Sequence, residues 1–449
     1  MERKIGLVGA TAIGLGAIIG AGIFVLSGTT INLAGSGAIL AFVLTGVIAL
    51  LYAFELGELT NEMPEESGAT YSFTYKAFGS QFGFITGILA YMSYAASISA
   101  IATGFGSYLT VLLGLGSSLS IVFSIAIILI LSFISLRGIK KAAELDIGLV
   151  SFKIIALLVL VLFAVLFGSW TSSNFGNPIV KGWGGIFAAS VIALFAYSGF
   201  STIASLTPSI EGGGRTAAKA IIISAVISMA LYLAVTAAMM ALVPASKFPI
   251  SADPLGFALA SAHAPEWLFL LIGIAALVAT ASATLSMING GTRYIYQIAK
   301  DGLLPRFLSN RSGNGVETNA MYVTAAVSIL LLFSGNIYTI AAISNFGTIF
   351  GYMMSSFVLL KLRRIVNMKA SGVKAKLMRN IRINTKNVPR VPLYPYLPVA
   401  ILVLSILLFY GFPQSAISSG LMVLLVSFIA YAALRELENK PVIRIRFFR

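Results

Sequence analysis

The 449-residue sequence contains no cysteine and one histidine, His263. Without thiols there is no disulfide frame, no thiolate metal site and no cysteine nucleophile. The lone histidine sits beside Pro265 in a segment between apolar runs and is assigned no role. Charge is scarce as well. Asp, Glu, Lys and Arg make up 10% of the chain, where soluble domains carry about 25%. No G-x-x-x-x-G-K-[ST] segment is present, so nothing points to drive by ATP. In place of these features the chain has apolar sequence, 58% of its residues, in long runs from end to end. That composition excludes a string of soluble domains and reads as an all-α, polytopic membrane protein.

A membrane-crossing helix needs about 20 apolar residues. The runs divide into twelve expected spans, 6–33, 37–57, 81–113, 118–136, 146–168, 183–206, 218–243, 266–288, 320–335, 338–362, 394–411 and 415–434. Cations mark the cytoplasmic side of such a chain. With the N-terminus inside, the inner segments hold 27 of the 30 Lys and Arg residues, the outer loops hold Lys181 and Lys247, and Lys153 falls within a span. Both termini are therefore expected in the cytoplasm of a plasma-membrane protein, with an uncleaved first span. The net charge of +15 does not indicate nucleic acid. Its densest run, Lys361 to Arg390, has no aromatic residue and sits in an inner loop, expected over 363–393. There it sets topology, with contact to anionic lipid headgroups as the alternative. Residues 436–449 form the expected cytoplasmic tail, and 1–435 a single transmembrane domain.

The organising stretch is Ile13–Ser27, I-G-L-G-A-I-I-G-A-G-I-F-V-L-S, with Gly14, Gly16, Gly20 and Gly22 inside an apolar run. Each glycine in a helix costs about 1 kcal/mol relative to alanine. Two readings account for the cluster. One is close packing of this helix on its neighbours. The other is a break, which frees carbonyls on one side and N–H groups on the other. A break is tolerated at membrane depth only against protein or a cavity, and such a site suits the ammonium and carboxylate of an α-amino acid. The sixth span repeats the signal: Phe195-Ala196-Tyr197-Ser198-Gly199-Phe200-Ser201 turns abruptly from apolar to small and polar. Two interrupted helices five spans apart and of opposite orientation form the pattern of an inverted repeat. Repeat one is expected over 6–168, repeat two over 183–362, with two further helices over 394–434.

These segments resemble the APC superfamily, the amino acid–polyamine–organocation transporters, with a LeuT-type five-plus-five fold. Gly16–Phe24 is similar to the first-helix motif of that family, and Leu194–Phe200 to its sixth-helix motif. Glu58-Leu59 through Pro64, Gly68, Tyr71 and Tyr75 is similar to its loop after span two, one residue off the commonest spacing. Arg293–Pro305 resembles the loop after span eight, and Ser344-Asn345-Phe346-Gly347 the start of span ten. The similarity covers residues 5–365. It implies that the amides of Ala21, Gly22 and Ile23, beside Gly20, bind a substrate carboxylate. It implies that carbonyls of Ile18 and Ile19, with Phe195, Ala196 and Ser198, bind an ammonium, and that Tyr197 and Phe200 line or gate the pocket. Ala21 stands where Thr or Ser is common, and Thr207–Glu211 lacks the paired acids of many relatives.

Lys153 lies inside D-I-G-L-V-S-F-K-I-I-A-L-L-V-L. A cation at that depth is a functional candidate, with snorkelling to the headgroups as its structural alternative. The resemblance implies a coupling role, Lys153 taking the place of a Na⁺ ion against carbonyls near Gly16 and Ile19 and carrying a proton. Spans three, six, eight and ten have no acid in their apolar interiors, and Ser93, Ser97, Ser198 and Phe195 suit a small or medium neutral side chain. The expected function is therefore proton-coupled transport of neutral L-amino acids, with no cofactor and no nucleic-acid partner. An exchanger or uniporter of amino acids or polyamines is the alternative. An intramembrane enzyme lacks the nucleophile, base or metal ligands it needs, and a channel would favour rotationally repeated pore segments.

Overall fold

Apolar segments that leave water must close their backbone hydrogen bonds internally, and here they do so as helices. The computed structural model describes residues 5–63, 69–137, 142–312, 315–370 and 391–437. Arg3 and Lys4, the stretch from Pro64 to Gly68, Lys140 and Lys141, the basic run over 371–390 and the tail beyond 437 lie outside the described residues, as do the side chains of Ala21 and Asp146.

The first expected span comprises three pieces, α1 (Leu7–Ile18), α2 (Ala21–Val25) and α3 (Ser27–Ala34). They are followed by α4 (Ala38–Glu62), α5 (Ala69–Phe78), α6 (Ser80–Leu112), α7 (Ser120–Leu136), α8 (Ala142–Phe167) and the single turn α9 (Ser172–Phe175). The sixth span is also divided, into α10 (Gly182–Ala196) and α11 (Phe200–Ser205). The remainder is α12 (Gly214–Leu242), α13 (Pro254–Ser261), α14 (Glu266–Lys300), α15 (Thr318–Leu331), α16 (Ile337–Ala370), α17 (Tyr396–Leu408) and α18 (Gln414–Leu437). Among the described residues there is no strand, only an isolated bridge between Ile5 and Ile210. Among the described residues nine helices are long and apolar enough to cross a membrane, and three shorter apolar ones, Gly182–Ala196, Thr318–Leu331 and Tyr396–Gly411, coincide with expected spans six, nine and eleven.

Several helices outrun their apolar stretches. Span eight was expected to end at residue 288, before Asn289-Gly290-Gly291, yet α14 continues to Lys300. Packing overrides the glycine signal: a Cβ on Gly290 would meet Tyr94 Cε1 at 2.5 Å, so the pair is held against α6. The added turns carry Arg293, Gln297 and Lys300, all good helix formers. Similarly α4 and α16 run on through Glu58 and Arg363.

Helix α6 packs against both α14 and α16, α4 packs on α12 and α10, and α8 joins α1, α12 and α14. The outward faces of α7, α8 and α18 expose Leu129, Phe133, Leu158, Leu162 and Leu425. Apolar residues on the outside of a fully helical bundle suit a surround of lipid tails. The segment before α1 is tied to the segment after α11: Ile5 N–H donates to Ser209 O at 3.0 Å and Glu211 N–H to Ile5 O at 2.9 Å.

Candidate substrate site

Helix α1 ends at Ile18, and Gly20 N–H turns back to Ile18 O at 2.8 Å instead of continuing the α-helical ladder. The chain resumes as α2 at Ala21, so the first amides of α2, on Ala21, Gly22 and Ile23, have no carbonyl one turn earlier in their own helix. Helix α10 closes in the same way. Tyr197 N–H donates to Leu194 O and Ser198 N–H to Phe195 O, the tight i+3 pattern of a helix end. Gly199 then takes φ +125°, and a Cβ there would lie 3.0 Å from the backbone C and O of Ala17. Only glycine meets both demands. A Cβ on Gly22 would lie 2.1 Å from Ala196 Cα. The two interruptions are thus in backbone contact. Gly22 serves the packing reading directly, and Gly20 does likewise against Ala283 Cβ, at 2.6 Å.

The carbonyls at this crossing already hold internal donors. Tyr232 Oη, from α12, lies 2.7 Å from Ile18 O and 3.0 Å from Ala196 O. Its single proton is shared between two carbonyls of two different broken helices. Phe195 O accepts from the Ser198 amide and, at 2.8 Å, from Ser198 Oγ. Lys153, fully buried on α8, places Nζ 3.4 Å from both Gly16 O and Ile19 O and 2.5 Å from Ser282 Oγ of α14. A cation there sits at the C-terminal, negative end of α1. Because a carbonyl has two lone pairs, a ligand ammonium would add to these donors or displace them.

Beside the crossing lies a cavity with about 60 Å³ of space for the centres of water molecules. Ser198 and Phe200 line it, as do Ser93 and Ser97 of α6; Ile18, Ile19, Gly20, Gly22, Ile23 and Phe195 through Tyr197 do not. Tyr197 is buried away from it, its ring edge-on to Tyr232 at 5.1 Å and its hydroxyl on Phe42 O. A row of hydroxyls joins α6 to α16, Ser97 to Ser344 at 2.8 Å and Ser93 to Thr348 at 2.9 Å. Among the described residues no Asp or Glu lines it.

Sequence reasoning missed two groups. Tyr232 gave no signal, since one tyrosine in an apolar span is ordinary. The other group is aromatic: Tyr52, Tyr94, Tyr294 and Tyr352 wall the cavity, with Tyr52 and Tyr352 stacked at 3.7 Å and Tyr94 and Tyr294 tilted at 5.2 Å. Tyrosines recurring near the same ends of four spans were the available clue. Beyond them, Tyr71 Oη donates to Asp301 Oδ2 at 2.6 Å, joining α5 to the end of α14.

At the other end, the segment around α13 lies over α2 and α3. Asn32 Nδ2 donates to Phe248 O at 2.6 Å, a Cβ on Gly28 would meet Pro254 Cβ at 2.4 Å, and Tyr108 Oη donates to Phe24 O at 2.5 Å. Asp253 caps α13 by accepting from Gly256 N–H at 3.0 Å. Burial pushes its carboxyl up from 3.8 to about 6, against the opposing hydrogen bond from Gly256 N–H. The folded protein therefore binds this proton more tightly than the unfolded chain. The resulting stability is present below pH 4 and lost as pH rises to about 6. Asp253→Asn keeps the capping oxygen and removes the charge. The variant is expected to melt higher than wild type above pH 6 and to lose that decline, as read by thermal unfolding from pH 4 to 8.

Residues 5–433 match a family model described as amino acid permease. The chain is similar to the branched-chain amino acid permease BcaP of Bacillus subtilis, 28% identical over 384 residues that cover 81% of this chain and 82% of that protein. It is similar to the methylthioribose transporter of the same organism, 26% identical over 417 residues, 89% and 86% of the two chains. It is also similar to cationic amino acid transporter 3, mitochondrial, of Arabidopsis thaliana, 26% identical over 378 residues, 79% and 61%. With a match that runs through both interrupted helices and nearly the whole helical bundle, this multi-pass membrane protein belongs to the amino acid permease family of the APC superfamily.

Proposed function

We propose that the protein is a secondary active transporter of neutral L-amino acids, working by alternating access around the crossing of its two interrupted helices. The observation that carries this reading is a cavity beside that crossing lined by Ser93, Ser97, Ser198 and aromatic rings and, among the described residues, by no carboxylate. The amides of Ala21, Gly22 and Ile23 take the substrate carboxylate. Carbonyls of Ile18, Ile19, Phe195, Ala196 and Ser198 take its ammonium, in exchange with the Tyr232 proton. Phe200 closes on the side chain. Protons drive the cycle through Lys153, whose contacts to Gly16 O and Ile19 O hold α1. Residues 6–168 and 183–362 act as the two repeats, both termini face the cytoplasm of a plasma membrane, and the 361–390 loop meets lipid headgroups.

A cationic side chain in this cavity would find no acid partner, and burying it unpaired costs several kcal/mol. Since about 1.4 kcal/mol already gives a factor of ten, alanine or leucine is expected to compete for uptake into proteoliposomes at least about tenfold better than arginine or a polyamine. Arginine uptake that alanine fails to compete would overturn the assignment. Counterflow in the same vesicles separates a carrier from a channel. Accumulation against a gradient separates a symporter from the exchanger or uniporter alternative.

A further inference from the structure

Glu55, on α4, is an interior carboxyl that none of these contacts uses. It is fully buried. Its Oε2 accepts a hydrogen bond from Ser356 Oγ of α16 at 2.9 Å, and its Oε1 has no hydrogen-bond partner among the described residues. It forms the middle layer of the seam between α4 and α16. On one side Tyr52 stacks on Tyr352, and both line the cavity. On the other, Glu58 is gripped by Arg363 through Nε and Nη2, both at 2.6 Å, and by the Val391 N–H.

Among the described residues Glu55 has no counter-ion, and on α16 Lys361 Nζ lies over the Phe78 ring at 4.6 Å. Glu58, one turn on, is already paired with Arg363. Tyr52 and Tyr352 are neutral phenols. On α12, which approaches α4 where Gly57 meets Ala218, Arg215 and Lys219 are exposed. Helices α3, α10 and α11 carry no ionisable side chain, and Tyr396 of α17 is exposed. No ion pair among the described residues includes Glu55. An ionised carboxylate here would be fully buried, with one hydrogen bond and, among the described residues, one oxygen without any, and a group so placed neutralises by taking a proton. The protonated carboxyl still accepts from Ser356.

We propose that Glu55 is a second proton site of the transporter, separate from Lys153, loaded while the α4–α16 seam is closed and emptied when the seam parts. On parting, the carboxyl O–H bond breaks, the proton passes to water, and the carboxylate gains hydration; closure reverses the step. The proposal rests on the chain being a transporter and not on the role of Lys153.

The test uses the full chain in proteoliposomes with alanine as probe, comparing wild type with Glu55→Gln. The amide retains an acceptor for Ser356 and cannot ionise. Infrared difference spectra between acid and alkaline buffer are expected to show a buried carboxylic-acid C=O band in wild type that is missing from the variant. Alanine counterflow at equal pH is expected to stay within about twofold, while accumulation driven by a pH gradient falls by about fivefold or more, the lower end of measured coupling effects. A carboxylic-acid band unchanged in Glu55→Gln, or unchanged gradient-driven accumulation, overturns the proposal. Should Glu55→Gln fail to fold, Ser356→Ala is expected to shift that band by removing its hydrogen bond, and an unshifted band overturns the proposal equally. Absence of alanine counterflow in wild type would instead sink the substrate assignment, and the infrared comparison would still decide the protonation of Glu55.

Discussion

Lys153→Ala is expected to abolish the response of uptake to a pH gradient while leaving substrate exchange measurable. In a continuous helix the carbonyls of Gly16 and Ile19 would accept from the N–H groups four residues on. The break redirects Gly20 N–H to Ile18 O, and Lys153 Nζ supplies both carbonyls at 3.4 Å, with Ser282 Oγ as a third partner. A charged amine there grips the end of α1. A neutral amine has lost one donor and the attraction to the helix dipole, so the grip slackens and α1 is free to move. Alanine removes the grip in every state and leaves two buried carbonyls each short of a partner, at about 1–3 kcal/mol apiece. Uptake would be measured with acid outside and at equal pH, with and without Na⁺, for both proteins. Wild type is expected to be indifferent to Na⁺ and faster with acid outside. Strict Na⁺ dependence in wild type, or an unchanged pH profile in the variant, would reduce Lys153 to a structural residue.

Gly22→Leu is expected to cost the protein its fold as well as its transport. From sequence, bulk at Gly22 reads as an obstacle to a substrate carboxylate in a protein that still folds and purifies as a monodisperse species. The geometry corrects that expectation. The first side-chain carbon would lie 2.1 Å from Ala196 Cα and 2.8 Å from Ala196 N. Both are backbone atoms, so no rotamer change relieves the clash. Overpacking a core typically costs about 1–3 kcal/mol, and more where the backbone must move. Size-exclusion profiles and thermal unfolding in detergent should show aggregation or a clear loss of stability, already detectable in Gly22→Ala. A monodisperse Gly22→Leu protein with wild-type thermal stability would mean that α2 and α10 do not cross this closely.

The two substitutions differ in what the linear sequence could say about them. Lys153 stands out in any reading, because a cation inside an apolar run has few tolerable surroundings. Gly22 stands out too, but its sequence supports two readings, close packing and a ligand-bearing break. The distance to Ala196 shows that close packing is in force, and it does so at the very break where α2 begins. Tyr232 and Glu55 show the opposite case. A tyrosine in span seven and a glutamate near the end of span two carry no pattern. They acquire meaning only when one hydroxyl is found between two broken helices and one carboxyl oxygen is found without a partner among the described residues.

What this sequence determined alone is what depends on composition and periodicity: a helical, many-spanned membrane protein, the approximate place of most spans, and two candidate interruptions near Gly20 and Ser198. Lipid imposes these, because backbone at membrane depth must close its hydrogen bonds in helices or closed barrels and apolar runs of about 20 residues suit helices, while clustered glycines or small polar residues mark where a helix costs most to continue. The continuation of α14 past Gly290-Gly291, the contact of the two breaks, the cavity bounded by Ser93, Ser198 and the tyrosines, and the partners of Lys153 were decided only by tertiary structure. Each joins residues dozens to hundreds of positions apart, and their chemistry depends on separations of a few ångströms that no local pattern encodes. Hydrogen bonding and packing fall off over those same distances.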